Sequence, residues 1–186
     1  MSLLKRKILN VATDLFQTRG INSTGVDTIV AVAGTTKMTL YKHFGSKEDL
    51  ILEVLKSGHQ DFIAWITNQL DTKKSQEKIY YLFDFIDEWV SNPNFRGMGF
   101  IKASAEFPSE QNAVHQLSSA QSRQFKQLIS GLAIEAQIKD ADSLSLQLSI
   151  LFEGAIQAEQ MKRGSSAMKY AKKAAKILID DASSSY

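Results

Sequence analysis

Between Gly34 and Leu50 the chain reads GTTKMTLYKHFGSKEDL, setting three lysines, a histidine and a tyrosine among few apolar side chains. Each of these polar groups has a partner on nucleic acid. Lysine donates to guanine O6/N7 or to phosphate, threonine touches a thymine methyl, and tyrosine donates its hydroxyl to phosphate. Leu40 and Phe44 stand four apart, which marks the buried side of a short helix. Lys37, Met38, Tyr41 and Lys42 then face outward, with Thr39 and His43 at the margins. The competing reading is an ordinary solvated helix. Lys47 supplies a second argument. It falls in the first turn of the next helix, where the macrodipole disfavours a cation and free N–H groups make an anion site, so a phosphate there offsets its placement. Thr24, at the start of the preceding short helix, offers another such site.

Positioning these groups takes a particular set of elements. Leu4, Ile8, Val11, Ala12, Leu15 and Phe16 recur at helical spacing up to Gly20. Thr24 is expected to cap a short helix with Asp27 at its third position, and Val26, Ile29, Val30 and Ala33 form the apolar face. Gly34 closes that helix, and Thr35 or Thr36 caps the next, from about Lys37 to His43. Two short helices joined by a tight turn, the second polar outside, make a helix-turn-helix, whose second helix enters the DNA major groove. Ser46 caps a long amphipathic helix through Leu50, Ile51, Val54, Leu55, Phe62 and Ile66. Further helices are expected over residues 75–91, 100–107, 110–138, 141–161 and 166–181, with SNPNFRGMG as a loop and SSSY as a frayed tail. No alternation long enough for a strand occurs, so the fold class is all-α.

Composition narrows the function further. The chain of 186 residues has no cysteine, which excludes disulfides, thiolate metal sites and cysteine nucleophiles. Its three histidines, His43, His59 and His115, show no ligand spacing, so no metal is expected, and nothing calls for a cofactor. No glycine-rich phosphate loop or serine elbow is present, so the chain does not read as an enzyme. No apolar run approaches the ~18 residues of a membrane span, and a cytoplasmic protein is expected. From Met1 to Lys47, seven basic residues stand against Asp14 and Asp27 alone, whereas acidic residues outnumber basic ones beyond. A basic end on an acidic body is the charge pattern of a nucleic-acid-binding module joined to a different domain.

These residues resemble a family. The run KRKILNVATDLFQTRGINSTGVDTIVAVAGTTKMTLYKHFGSKEDLILEVL is similar to the N-terminal domain of TetR-type transcriptional regulators. The resemblance rests on Ala12…Leu15-Phe16…Gly20, Thr24…Val26…Ile29, Ala33-Gly34, Thr39-Leu40-Tyr41…His43-Phe44 and Ser46-Lys47…Leu50. It implies a DNA-binding domain over residues 1–45 and a helical ligand-binding and dimerisation domain over 46–186. It also implies DNA contacts from Thr24, Thr36, Lys37, Thr39, Tyr41, His43 and Lys47, with Lys37 and Thr39 toward bases and Tyr41, His43 and Lys47 toward phosphates. Val30, Thr35 and Met38 depart from the family's usual small, apolar and glycine or proline residues, leaving the operator sequence open.

In the larger domain the resemblance implies a cavity along the long connecting helix. Its candidate lining is Phe62, Trp65, Ile66, Phe85, Ile86, Trp89, Phe100, Phe125 and Phe152, with Glu106 as a polar contact. Leu144, Leu148, Leu151 and Ala155, then Ala171, Ala175 and Leu178, form the apolar faces of the last two helices, which pair with their two-fold mates in the family. The implied function is a homodimeric, ligand-responsive regulator, a repressor released from a palindromic operator by a small-molecule inducer. The alternative is a helix-turn-helix adaptor that binds DNA or a partner without such a ligand.

Overall fold

The structure is a computed structural model and describes residues 1–93, 95 and 97–184. Among these the chain is all-helical: α1 (Leu3–Arg19), α2 (Val26–Ala33), α3 (Lys37–Phe44), α4 (Lys47–Leu70), α5 (Lys78–Ser91), α6 (Gly99–Glu106), α7 (Ala113–Glu135), α8 (Ala141–Met161) and α9 (Ala167–Ser184). A 3-10 turn at Ser75–Glu77 leads into α5. The helix expected from residue 110 begins at Ala113, because the Asn112 carboxamide oxygen accepts the Val114 N–H at 2.8 Å and stops the turn there. Of the tail expected to fray, Ser183 and Ser184 belong to α9 and donate their hydroxyls to the carbonyls of Ile179 and Asp180. Ser185 and Tyr186, like Asn94 and Arg96 of the expected loop, lie outside the described residues.

The chain forms two compact units, the first of residues 1–60 and 98–120, the second of 61–97 and from 121 onward. The first has its own core, in which Ile8, Ala12, Ile29, Ala33, Leu40, Leu50 and Ala103 are wholly buried. α1, α2 and α3 meet there on the apolar stripes their periodicity sets, and each large side chain buried contributes ~1.5–3 kcal/mol. Lys5 pairs with Glu53 at 2.8 Å and lies 5.0 Å over the Phe44 ring. One capping expectation is corrected. Gly25, not Thr24, occupies the N-cap of α2. Thr24 is buried, and its hydroxyl donates to the Gly20 carbonyl at 2.7 Å, because a buried hydroxyl must find a hydrogen-bond partner within the protein.

In the second unit, α9 packs against both α8 and α5. Phe62, Trp89, Phe125 and Phe152 form an aromatic cluster, with Phe125 and Phe152 4.1 Å apart and Phe62 5.0 Å from Trp89. Glu159 ties the α8–α9 turn. Its buried carboxylate accepts from Ser165 Oγ at 2.7 Å and from the N–H groups of Ala167 and Gly164 at 2.8 and 3.1 Å. Burial pushes this carboxyl up, but the donors together outweigh burial and hold it below its ordinary value. Gly97 has φ +90°, and a Cβ there would overlap the Gln160 amide, so glycine is required.

Much of the expected dimer face is taken up by the chain's own core. Leu144, Leu148, Ala155, Ala171 and Ala175 are buried within their own chain, while Leu151 and Leu178 are half-buried. The widest apolar stripe of each helix is consumed by the fold of the chain itself. What α8 leaves uncovered along its length is Leu146 and Ile150, at 50% and 63% exposure, with Met161 at 83% at its end, and what α9 leaves is Tyr170 and Ile177, at 66% and 69%.

Candidate nucleic-acid interface

The α2–α3 turn depends on Gly34, which sits in the left-handed region at φ 64°, ψ 46° and closes α2. Its N–H donates to the Ala31 carbonyl at 3.3 Å, and the following Thr35 N–H donates to the Val30 carbonyl at 3.0 Å. The chain then enters α3 at Thr36, whose hydroxyl oxygen accepts the Thr39 N–H at 3.2 Å. Of the two threonines that could cap, Thr36 does so. Leu40 and Phe44 are buried, as their spacing requires.

On the opposite face of α3, Lys37, Met38, Tyr41 and Lys42 are exposed, and Thr39 and His43 are half-exposed. Met38 is the most open at 80%. Six side chains picked from the sequence thus share one solvent-facing surface, with Thr36 at its N-terminal end. Lys37 is not isolated. Its ammonium pairs with the Asp27 carboxylate of α2 at 2.8 Å, and that hydrogen bond, then the charge, raises the lysine above its ordinary value.

Two expected anion sites have changed character. Thr24 is withdrawn from the surface altogether. Lys47 is half-buried and donates to the Ile21 carbonyl at 3.0 Å, which anchors it against the α1–α2 loop. Behind it, Ser46 Oγ accepts the Asp49 N–H at 3.0 Å and donates to the Asp49 carboxylate at 2.6 Å, completing the cap of α4.

Glu106 was expected at a ligand cavity, and the structure places it against the α1–α2 loop instead. Its carboxylate accepts the N–H groups of Ile21 and Asn22 at 2.9 and 2.7 Å, and its carbonyl accepts from the Asn22 amide at 3.1 Å. Lys102, one turn earlier on α6, donates to the Gln17 carbonyl at 2.9 Å. These bonds span 84 or 85 residues, so no local pattern reveals them. Phe100 also lies in the first unit, its ring 6.3 Å from His59. The remaining cavity candidates, Phe62, Trp65, Ile66, Phe85, Ile86, Trp89, Phe125 and Phe152, lie in the second. There Phe85 stacks on Tyr81, 6.2 Å away, rather than joining the Phe62 cluster. A groove of about 550 Å³ in that unit is lined by other residues, among them Tyr80, Tyr81, Phe83, Lys172 and Lys176. His115 bonds the Phe107 carbonyl through Nδ1 at 2.8 Å.

Residues 8–54 match the family model for bacterial regulatory proteins of the tetR family. The HTH-type transcriptional regulator QacR of Staphylococcus aureus is 40% identical over 78 residues, 41% of this chain and 42% of that one. The HTH-type transcriptional repressor KstR2 of Mycolicibacterium smegmatis is 38% identical over 82 residues, 41% of this chain and 38% of that one. These matches span about two fifths of the length of either relative. Across nearly the whole chain, the structure resembles SCO4454, a TetR-family transcriptional regulator from Streptomyces coelicolor. The TM-score is 0.92 at 27% identity, covering 98% of this chain and 91% of that one. Residues 8–54 thus form a DNA-binding domain of the tetR family, and the chain has the TetR fold, a helix-turn-helix domain followed by a larger helical one.

Proposed function

We propose that the protein is a homodimeric transcriptional repressor that binds a near-palindromic operator and is released from it by a small-molecule inducer. The observation that carries the reading is the exposed face of α3, where Lys37, Met38, Tyr41 and Lys42 stand clear of a core that holds Leu40 and Phe44. Lys37 and Thr39 meet bases, while Tyr41, His43 and the remaining donors of Lys47 meet phosphates. Two copies of α3 related by a two-fold axis meet major grooves about one turn apart, ~34–36 Å. The second copy docks on α8 and α9 through the side chains the fold leaves uncovered, Leu146, Ile150, Tyr170 and Ile177. That KstR2 is a repressor supports the direction of control.

The inducer site belongs to the aromatic cluster of the second unit, where the half-exposed Trp65 and Trp89 edge Phe62. α4 carries Lys47 near one end and Phe62 and Trp65 toward the other, so it is the natural lever. A ligand that binds the released conformer better shifts the population away from DNA.

The test is selection of bound duplexes from a random DNA pool at near-physiological salt. An enriched inverted repeat is expected. Weak, salt-sensitive binding without a repeat would sink the reading and favour the adaptor. The repeat then becomes the probe for inducers, with binding followed by the fluorescence of Trp65 and Trp89, the chain's two tryptophans.

A further inference from the structure

Asp27 stands in the first turn of α2 and Lys37 opens α3, with Oδ1 and Nζ 2.8 Å apart. Their side chains are 79% and 54% exposed, so the pair contributes little to the fold in water. Nor is it needed to hold α2 against α3. Gly34 makes the turn, and Ile29, Ala33 and Leu40 are wholly buried between the helices. What the pair does is present a donor and an acceptor side by side, at the end of the recognition helix that meets base edges in helix-turn-helix proteins.

On the major-groove edge of a G·C pair, guanine offers O6 and N7 as acceptors and cytosine offers the N4 amino group as donor. O6 and N4 are hydrogen-bonded to each other, so they lie about 2.9 Å apart. The protein's two atoms have the same spacing and the complementary sense. We infer that Asp27 and Lys37 together read one G·C pair in each half-site in a fixed orientation, Lys37 donating to guanine O6 and Asp27 accepting from cytosine N4. The reversed C·G pair sets amino group against ammonium and carbonyl against carboxylate, and is refused. A T·A pair keeps the acceptor–donor order but replaces guanine N7 by the thymine methyl, so it ranks below G·C. Lys37 alone, on a flexible stem, would reach guanine on either strand. Orientation is therefore the work of Asp27. Its charge also faces the phosphates, so it weakens sequence-blind binding, which neutral residues there would not.

This inference rests on the operator-binding reading, and the experiment separates the two. Duplex selection is run in parallel with the wild-type protein, Asp27→Ala and Asp27→Glu, followed by competition against the same duplexes carrying the reversed pair. The wild type is expected to show one G·C position per half-site with fixed orientation. Asp27→Ala should lose roughly tenfold in discrimination against C·G and bind unrelated duplex more tightly. Asp27→Glu, which keeps the acceptor, should restore the orientation. An Asp27→Ala protein that keeps every preference, or that loses specific and non-specific affinity together, overturns the inference and leaves the regulator standing. A wild type that enriches no repeat overturns both.

Discussion

Thr36 is exposed, yet its hydroxyl organises the first turn of α3 by accepting the Thr39 N–H. Thr36→Ala should cost about 1 kcal/mol in chemical denaturation, with a matching loss of operator affinity, because α3 must be ordered before it can enter a groove. Lys37 and Lys47 carry the same charge into different surroundings, one exposed beside Asp27 and the other half-buried against the Ile21 carbonyl. Lys37→Ala should relax base preference at one position. Lys47→Ala should weaken all duplexes alike and lower the salt slope by about 1, read from titrations at several salt concentrations. Equal, sequence-blind losses from both would contradict the assignment of bases to one and phosphate to the other.

Single side chains at the ends of helices do the joining between elements. Glu159 holds the α8–α9 turn with three donors, and its carboxyl titrates below its unfolded value near 4.5. The stabilisation it gives is therefore complete above that value and is lost as pH falls through the lower folded one. Glu159→Gln should be less stable than wild type by about 1–3 kcal/mol at pH 7, with the gap narrowing below about pH 4.5 in urea titrations. A gap constant from pH 7 to 3 would contradict the role. Glu106 closes the loop between α1 and α2 in a comparable way. Glu106→Ala should keep the helical circular dichroism while the α1–α2 loop amides exchange faster, and operator affinity should fall because α2 loses its anchor.

At the scale of the molecule, the uncovered apolar residues of α8 and α9 are the ground for a dimer. Ile150→Asp sets a charge on that surface without touching the core, since Ile150 is 63% exposed. The wild type should sediment as a dimer, and the variant as a monomer that melts as a folded helical protein yet no longer binds the full inverted repeat. A variant that remains dimeric would place the interface elsewhere.

What the sequence by itself determined is local. The run of helices, the turn at Gly34, the buried pair Leu40 and Phe44 and the outward set of α3 all follow from 3.6-residue periodicity and from caps, each settled within a few residues. The tertiary structure alone decided what depends on distant chain. The Glu106 carboxylate meets loop amides 84 and 85 residues away, and the Lys102 ammonium donates to the Gln17 carbonyl, 85 residues away. The apolar stripe of α8 goes into its own core, leaving Leu146 and Ile150 outside. A wide apolar face tells how much surface must be buried, but not whether its own chain or another copy will bury it. That choice is made by packing, where the first neighbour to fill a groove leaves the rest of the face for a second.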